Sequence, residues 1–223
     1  MCARRVDRPA RHICSDCLMR LPFVSATGAC SVCGREIPAF TGEFLCEDCQ
    51  LNPPQFDRAA AALRFEGEAR QMILDFKFNR HLWLRDDFVD FLEAALRARF
   101  DPASVDVVLP MPTSFFHRLD RGYNQCAYLA DALAQRIDRR YDGRTLRRRG
   151  NPRRQSGLSE EDRRENAKGS FAVVCPEWVR GRTVLVVDDI MTTGATLSEC
   201  ARALKSAGAA RVWCVTLARA IRG

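Results

Sequence analysis

From about residue 56 onward, apolar positions fall into stretches that alternate between strand and helix spacing. Ala59 to Phe65 predicts a short strand, and Glu68 to Phe78 and Asp86 to Phe100 predict two amphipathic helices. Val105 to Leu109, interrupted only by Asp106 and closed by Pro110, has the pattern of a buried strand. Arg121 to Ile137 predicts a helix, with Tyr123, Ala127, Ala130, Leu133 and Ile137 at spacings of three and four. Thr183 to Val187 is the strongest strand signal. It is followed by a helix over Ala195 to Ala207, stopped by Gly208, and a last strand over Arg211 to Leu217. Such alternation predicts an α/β fold with a parallel sheet flanked by helices. The Arg-rich stretch between Arg144 and Phe171 has no place in that sheet.

Before residue 56 the texture differs. Cys14/Cys17, Cys30/Cys33 and Cys46/Cys49 form three C-x-x-C pairs with a period of 16 residues. The repeat ends at Leu51-Asn52-Pro53-Pro54-Gln55, whose prolines forbid a continuing helix. The expected division is therefore a small cysteine module over 1–52 and a larger domain over 56–223. With 223 residues, 47% hydrophobic and 28% charged, the composition is that of a globular chain rather than a disordered or fibrous one. The longest uncharged run, Leu21 to Gly34, is too short for the ~20 apolar residues of a membrane span. Met1 to Arg11 holds four arginines with no apolar stretch after them, so no export signal is expected and the expected compartment is the cytoplasm.

That compartment changes the reading of the eleven cysteines, because paired knuckles in a reducing environment point to metal rather than disulfides. Cys30, Cys33, Cys46 and Cys49 make a complete tetrahedral Cys₄ set for structural Zn²⁺. Cys14 and Cys17 make half a set. Cys2 and His12 are the candidates to extend it to a second zinc site, and a start upstream of Met1 would supply a missing knuckle residue. The alternative is a vestigial first site with Cys2 as a free thiol. Cys126, Cys175, Cys200 and Cys214 share no spacing and read as small buried residues.

The segment richest in chemistry runs from Val184 to Thr196. A four-residue apolar strand ends in Asp188 and Asp189, and the small-residue turn Thr192-Thr193-Gly194-Ala195-Thr196 then opens a helix. In an open α/β sheet that edge binds ligands. The turn offers backbone N–H groups, hydroxyls and a helix N-terminus to a phosphate, while the carboxylates accept hydrogen bonds from adjacent sugar hydroxyls. Together these describe a ribose 5-phosphate pocket. Neither G-x-x-x-x-G-K-[ST] nor G-x-G-x-x-G occurs in the chain.

The segment resembles the thirteen-residue phosphoribosyl pyrophosphate (PRPP) motif of type I phosphoribosyltransferases. The whole chain resembles the ComF family, which joins a double zinc ribbon to such a domain and is linked to DNA uptake in competent bacteria. Arg121-Gly122-Tyr123-Asn124-Gln125 is similar to the family's R-G-[FY]-N-Q. Gln155-Ser156-Gly157-Leu158-Ser159 with Arg163, Asn166, Gly169 and Phe171 is similar to a second family motif. The resemblance implies a type I phosphoribosyltransferase-like fold with an N-terminal zinc-ribbon module. It implies PRPP bound with Mg²⁺ through Asp188, Asp189, Met191, Thr192, Thr193, Gly194, Ala195 and Thr196. Met111, Pro112, Thr113 and Ser114, with Arg118 and Arg121, would receive the pyrophosphate, and Gln155, Ser156, Gly157, Leu158, Arg163 and Asn166 would lie on a mobile loop over the substrate. The implied activity is that of a phosphoribosyltransferase, a glycosyltransferase of the pentosyl class, in nucleotide-related metabolism or DNA uptake, with proteins of the uptake machinery as partners. Thr113 to Asp120 is less basic than the family pattern, and Pro152 stands where a threonine is common.

Charge supports a second reading. Arg136 to Arg164 holds eleven arginines against five carboxylates, nearly the whole excess of +7, whereas residues 1–50 balance at six against six. Such a cluster fits single-stranded DNA phosphates, with the ribose pocket as a sensor, as well as it fits a loop over pyrophosphate. His81 reads as a surface or core residue, and His117 lies beside the pyrophosphate loop. Phe76 and Phe78 read as core.

Overall fold

The structure, a computed structural model, describes residues 11–25, 27–37, 42, 44–113, 122–149 and 169–220. Five strands form a parallel sheet in the order β1-β7-β6-β2-β3: β1 (Arg58–Arg64), β2 (Val107–Pro110), β3 (Arg140–Tyr141), β6 (Thr183–Met191) and β7 (Arg211–Arg219). A separate antiparallel pair, β4 (Leu146–Arg148) and β5 (Phe171–Val173), lies within the stretch that the sequence left outside the sheet. The pattern missed it because its buried anchors, Leu146 and Phe171, lie far apart in an Arg-rich segment.

Helices α3 (Gly67–Phe78), α4 (Arg85–Arg97) and α5 (Gln125–Arg136) share one apolar core with one face of the sheet, through residues such as Phe76, Phe88, Leu92, Leu129 and Leu133. Helix α6 (Ala195–Ser206) packs on the opposite face with β4 and β5, through Leu197, Cys200 and Leu204 against Val184, Val186 and Phe171. The expected helix from Arg121 begins instead at Gln125. Gly122 sits at φ 77, and Asn124 has extended backbone and caps α5, its side chain accepting from the Cys126 N–H at 3.0 Å. Tyr123 therefore lies outside the helix, and its hydroxyl donates to the Phe76 carbonyl.

Two short helices, α1 (Ser15–Met19) and α2 (Glu47–Leu51), start directly after the first cysteine of the first and third knuckles and carry the second, Cys17 and Cys49. The cysteine segment lies along β1. Val24 N–H donates to the Ala62 carbonyl at 2.9 Å, Arg64 N–H to that of Pro22 at 2.8 Å, and Ala59 N–H to that of Val32 at 2.7 Å. An edge strand whose central residues, Ala59 to Leu63, are all buried thus has its free side covered by the segment that precedes it. Gly34 permits the approach: it sits at φ +70, and a Cβ there would meet the Ala59 carbonyl oxygen at 2.8 Å. Among the described residues no helix is long and apolar enough to cross a membrane.

Candidate functional site

Strand β6 runs four residues past the end expected from its apolar run, so Asp188 and Asp189 lie inside the strand. β2 ends at Pro110, opposite Val187, while β7 accompanies β6 as far as Met191. Beyond Val187, β6 has no strand partner on its β2 side among the described residues. This gap between β6 and β2 lies where the chain order reverses across the sheet, the position at which open α/β sheets form a ligand crevice.

Both carboxylates are buried, 9% exposed at Asp188 and 5% at Asp189. Lys77, at the end of α3, reaches Asp189 Oδ2 at 2.6 Å, and the Gln125 amide donates to the same oxygen at 2.8 Å. Asp188 Oδ1 accepts from the Asp189 N–H at 2.9 Å and from the Cys126 thiol at 3.4 Å. Burial first, and then the neighbouring charge of Asp189, push the Asp188 carboxyl up to about 7. At Asp189 burial acts the same way, but the Lys77 charge and the bonds from Lys77 and Gln125 outweigh it and hold the group below its usual range. The pair thus divides into a fixed carboxylate and one that titrates near neutrality.

This division has a pH consequence. With Asp188 raised from 3.8 to about 7, the folded chain holds a proton there that the unfolded chain has lost. The contribution of Asp188 to stability therefore falls as pH rises from 3.8 to about 7, by at most about 1.4 kcal/mol per pH unit. Urea unfolding at several pH values across the upper part of that window should show the wild type losing stability relative to Asp188→Asn as pH rises. Parallel curves would mean that Asp188 is not raised.

The turn after β6 brings the residues expected to cradle a phosphate to the N-terminus of α6. Gly194 takes φ 79 as the N-cap of α6, and the Thr193 hydroxyl accepts from the Ala195 N–H at 3.2 Å. Thr192 is exposed, and Thr193, Ala195 and Thr196 are half-buried around the helix N-terminus. Met191 is buried beneath this loop, with its sulfur 3.8 Å from Arg219. At the end of β2, Met111 is buried and Pro112 and Thr113 are partly exposed. The Asn124 amide ties the segment down by donating to the Met111 carbonyl at 3.2 Å. Ser114, Arg118 and Arg121 lie outside the described residues, as do His117 and the loop residues Gln155, Ser156, Gly157, Leu158, Arg163 and Asn166.

Sequence reasoning missed Lys77, Gln125 and Cys126. Gln125 belonged to the R-G-Y-N-Q motif but had no assigned role, and Cys126 reads as a small core residue until its thiol is found at Asp188. Cys200 and Cys214 are buried as expected, whereas Cys175 is partly exposed. Phe76 is core but Phe78 is 58% exposed, and His81 is a surface residue beside Trp83. In the Arg-rich stretch, Arg136 pairs with Asp90 and Glu93 and Arg140 lies over the Trp178 ring, while Arg144, Arg147 and Arg149 are exposed.

A second constellation lies in the cysteine segment. The sulfurs of Cys30, Cys33, Cys46 and Cys49, all buried, lie within 4.8 Å of one another, with Cys33 and Cys46 at 3.6 Å. Tetrahedral zinc at Zn–S distances of about 2.3 Å requires sulfur separations of about 3.8 Å, so the donor set fits that ion. Among the described residues Cys14 and Cys17 join no such cluster. Cys2 lies outside those residues, and His12 faces Asp87 instead, its Nδ1 3.6 Å from Oδ2.

This sheet, with its carboxylate pair and Thr-Gly loop at the carboxyl edge, defines a phosphoribosyltransferase-type α/β domain joined to a four-cysteine module. Residues 124–223 match the phosphoribosyl transferase domain family. The chain is 28% identical to Competence protein F of Haemophilus influenzae, over 93% of its own length and 90% of that protein. It is also 28% identical to DNA utilization protein YhgH of Escherichia coli K12, over 89% and 94% of the two chains, and 25% identical to Competence protein ComFC of Bacillus subtilis, over 95% and 86%. These likenesses bear out the resemblance to the ComF family. Among solved structures, the adenine phosphoribosyltransferase of Thermoanaerobacter pseudethanolicus matches at 15% identity and a TM-score of 0.39, over 64% of this chain and 83% of that one.

Proposed function

We propose that the crevice between β2 and β6 binds phosphoribosyl pyrophosphate with Mg²⁺, and that the protein serves competence-linked DNA utilization through a phosphoribosyltransferase-type reaction. The observation that carries this reading is the buried Asp188–Asp189 pair beside the Thr192–Thr196 turn, at the sheet edge beyond the end of β2. The carboxylates accept from the two ribose hydroxyls, and the hydroxyls of Thr192, Thr193 and Thr196 with the α6 N-terminus receive the 5-phosphate. The pyrophosphate then lies toward Met111, Pro112 and Thr113, with Ser114, Arg118 and Arg121 following in the chain.

Mg²⁺ would be held mainly through the ligand's own oxygens and would supply charge neutralisation to the pyrophosphate group. In turnover a nucleophile displaces that pyrophosphate at the ribose C1 through an oxocarbenium-like transition state. The protein contributes positioning and a preset field: Lys77 and Gln125 hold Asp189 ionised and oriented, and the carboxylates fix the sugar ring beneath the reacting carbon. The Cys₄ cluster holds structural Zn²⁺.

Calorimetric titration of PRPP with Mg²⁺ tests the site. The wild type should bind, and the double variant Asp188→Asn with Asp189→Asn should lose at least about 100-fold in affinity, as expected for two buried hydroxyl acceptors at roughly 1.5–3 kcal/mol each. Equal binding by both proteins would remove the carboxylates from the site. No binding to a folded, zinc-loaded wild type would overturn the reading as a whole.

A further inference from the structure

Two arginines beside the four-cysteine cluster lack a carboxylate partner within ion-pair distance among the described residues. Arg219 ends β7 and is 5% exposed. Its Nη1 donates to the Cys33 carbonyl at 2.5 Å and lies 3.8 Å from the Met191 sulfur. Arg99, just beyond α4, donates through Nη2 to the carbonyls of Cys30 at 2.8 Å and Ser31 at 3.0 Å, while its Nε is buried with no acceptor among the described residues. Of the other guanidiniums nearby, that of Arg35 is paired with Asp48 at 2.5 Å, and that of Arg58 lies close enough to Arg99 to oppose its charge.

A guanidinium taken out of water cannot shed its proton, and its burial, complete at Arg219 and partial at Arg99, is costly unless an opposite charge faces it. Both arginines are seated on the backbone of the same knuckle, and among the described residues no carboxylate supplies that charge. Four thiolates around one divalent ion do, since such a centre carries a formal charge of −2, matched by two guanidiniums.

We propose that Arg99 and Arg219 are the counter-charges of the metal-loaded tetrathiolate, so that the sheet domain completes the electrostatics of the cysteine module's metal centre. The module is then not an independent zinc ribbon. Its metal is retained only while it is docked on β1 and β7, and the Arg219 guanidinium that holds it also touches the underside of the ribose loop at Met191. The inference rests on the proposed Zn²⁺ site.

The competing explanation is that the guanidiniums act only as hydrogen-bond donors that fasten knuckle carbonyls to the sheet. Glutamine keeps a donor without the charge, and lysine keeps the charge without the fork. The experiment is the rate of zinc release from the full-length chain to a chromophoric chelator, with folding of each zinc-loaded variant checked by circular dichroism. Arg219→Gln and Arg99→Gln are each expected to speed release about 10–100-fold, and Arg219→Lys to remain within a few-fold of the wild type. Arg99→Gln provides the independent measurement if loss of Arg219 disturbs the end of β7. Glutamine variants that release zinc at the wild-type rate, or a lysine variant as fast as its glutamine counterpart, overturn the proposal. A folded wild type that binds no zinc overturns the zinc reading itself.

Discussion

Replacing Lys77 with methionine is expected to destabilise the fold by roughly 3–5 kcal/mol, the cost of leaving one partner of a buried ion pair uncompensated. Lys77 and Asp189 meet at 2.6 Å with side chains only 19% and 7% exposed, so water does not replace the lost ammonium. The remaining bond from Gln125 is a neutral donor and cannot balance a full charge. In the variant Asp189 recovers part of the loss by taking up a proton, so its carboxyl moves up in pH and the variant is less impaired in acid than at neutrality. The double variant Lys77→Met with Asp189→Asn removes both charges and should regain much of the stability. Urea unfolding of the four members of this cycle checks the result. A single variant within about 1 kcal/mol of the wild type would show that the pair is solvent-accommodated and that Asp189 needs no fixed cation.

The position of Lys77 also shows where sequence reasoning stops. The strand, the two aspartates and the Thr-Gly turn are consecutive, so their chemistry is legible as a local pattern, and the C-x-x-C pairs announce their own geometry. Lys77 lies more than a hundred residues from Asp189 in the chain, at the end of an amphipathic helix where a lysine is unremarkable. Only the packing of α3 on the sheet brings the two together. The expected strand end at Val187 failed for a related reason: aspartates have low strand propensity, but β7 continues beside them and supplies the ladder through Asp188–Thr216 and Met191–Arg219. The expected helix start at Arg121 followed apolar spacing alone, and the chain obeys Gly122 and Asn124 instead. β4 and β5 left little pattern to read, because each is three residues long and their pairing spans the Arg-rich stretch.

The largest effect is expected from the metal. Structural zinc in small modules supplies roughly 10–16 kcal/mol of apparent folding energy. The residues around these four cysteines have little apolar core of their own to replace it. Their sulfurs are themselves part of the core that includes Phe56 and Ala59, and the earlier knuckle places Ile13, Cys17 and Leu21 in the core on the other face. Cys46→Ser, or stripping with a chelator, should therefore release the whole 28–52 segment rather than one loop. Release frees the Ala59 N–H from the Val32 carbonyl and uncovers Arg99 and Arg219, so the disturbance enters the sheet at its β1–β7 side. Hydrogen exchange should then accelerate in β1 and at the end of β7, while β2 and the first half of β6, buried between other strands, stay protected. The exposed edge of β1 should also promote self-association, visible as concentration-dependent light scattering. Unchanged exchange in β1 after zinc loss would mean that the cysteine segment docks through its apolar contacts alone, and that the metal contributes nothing to the sheet edge it covers.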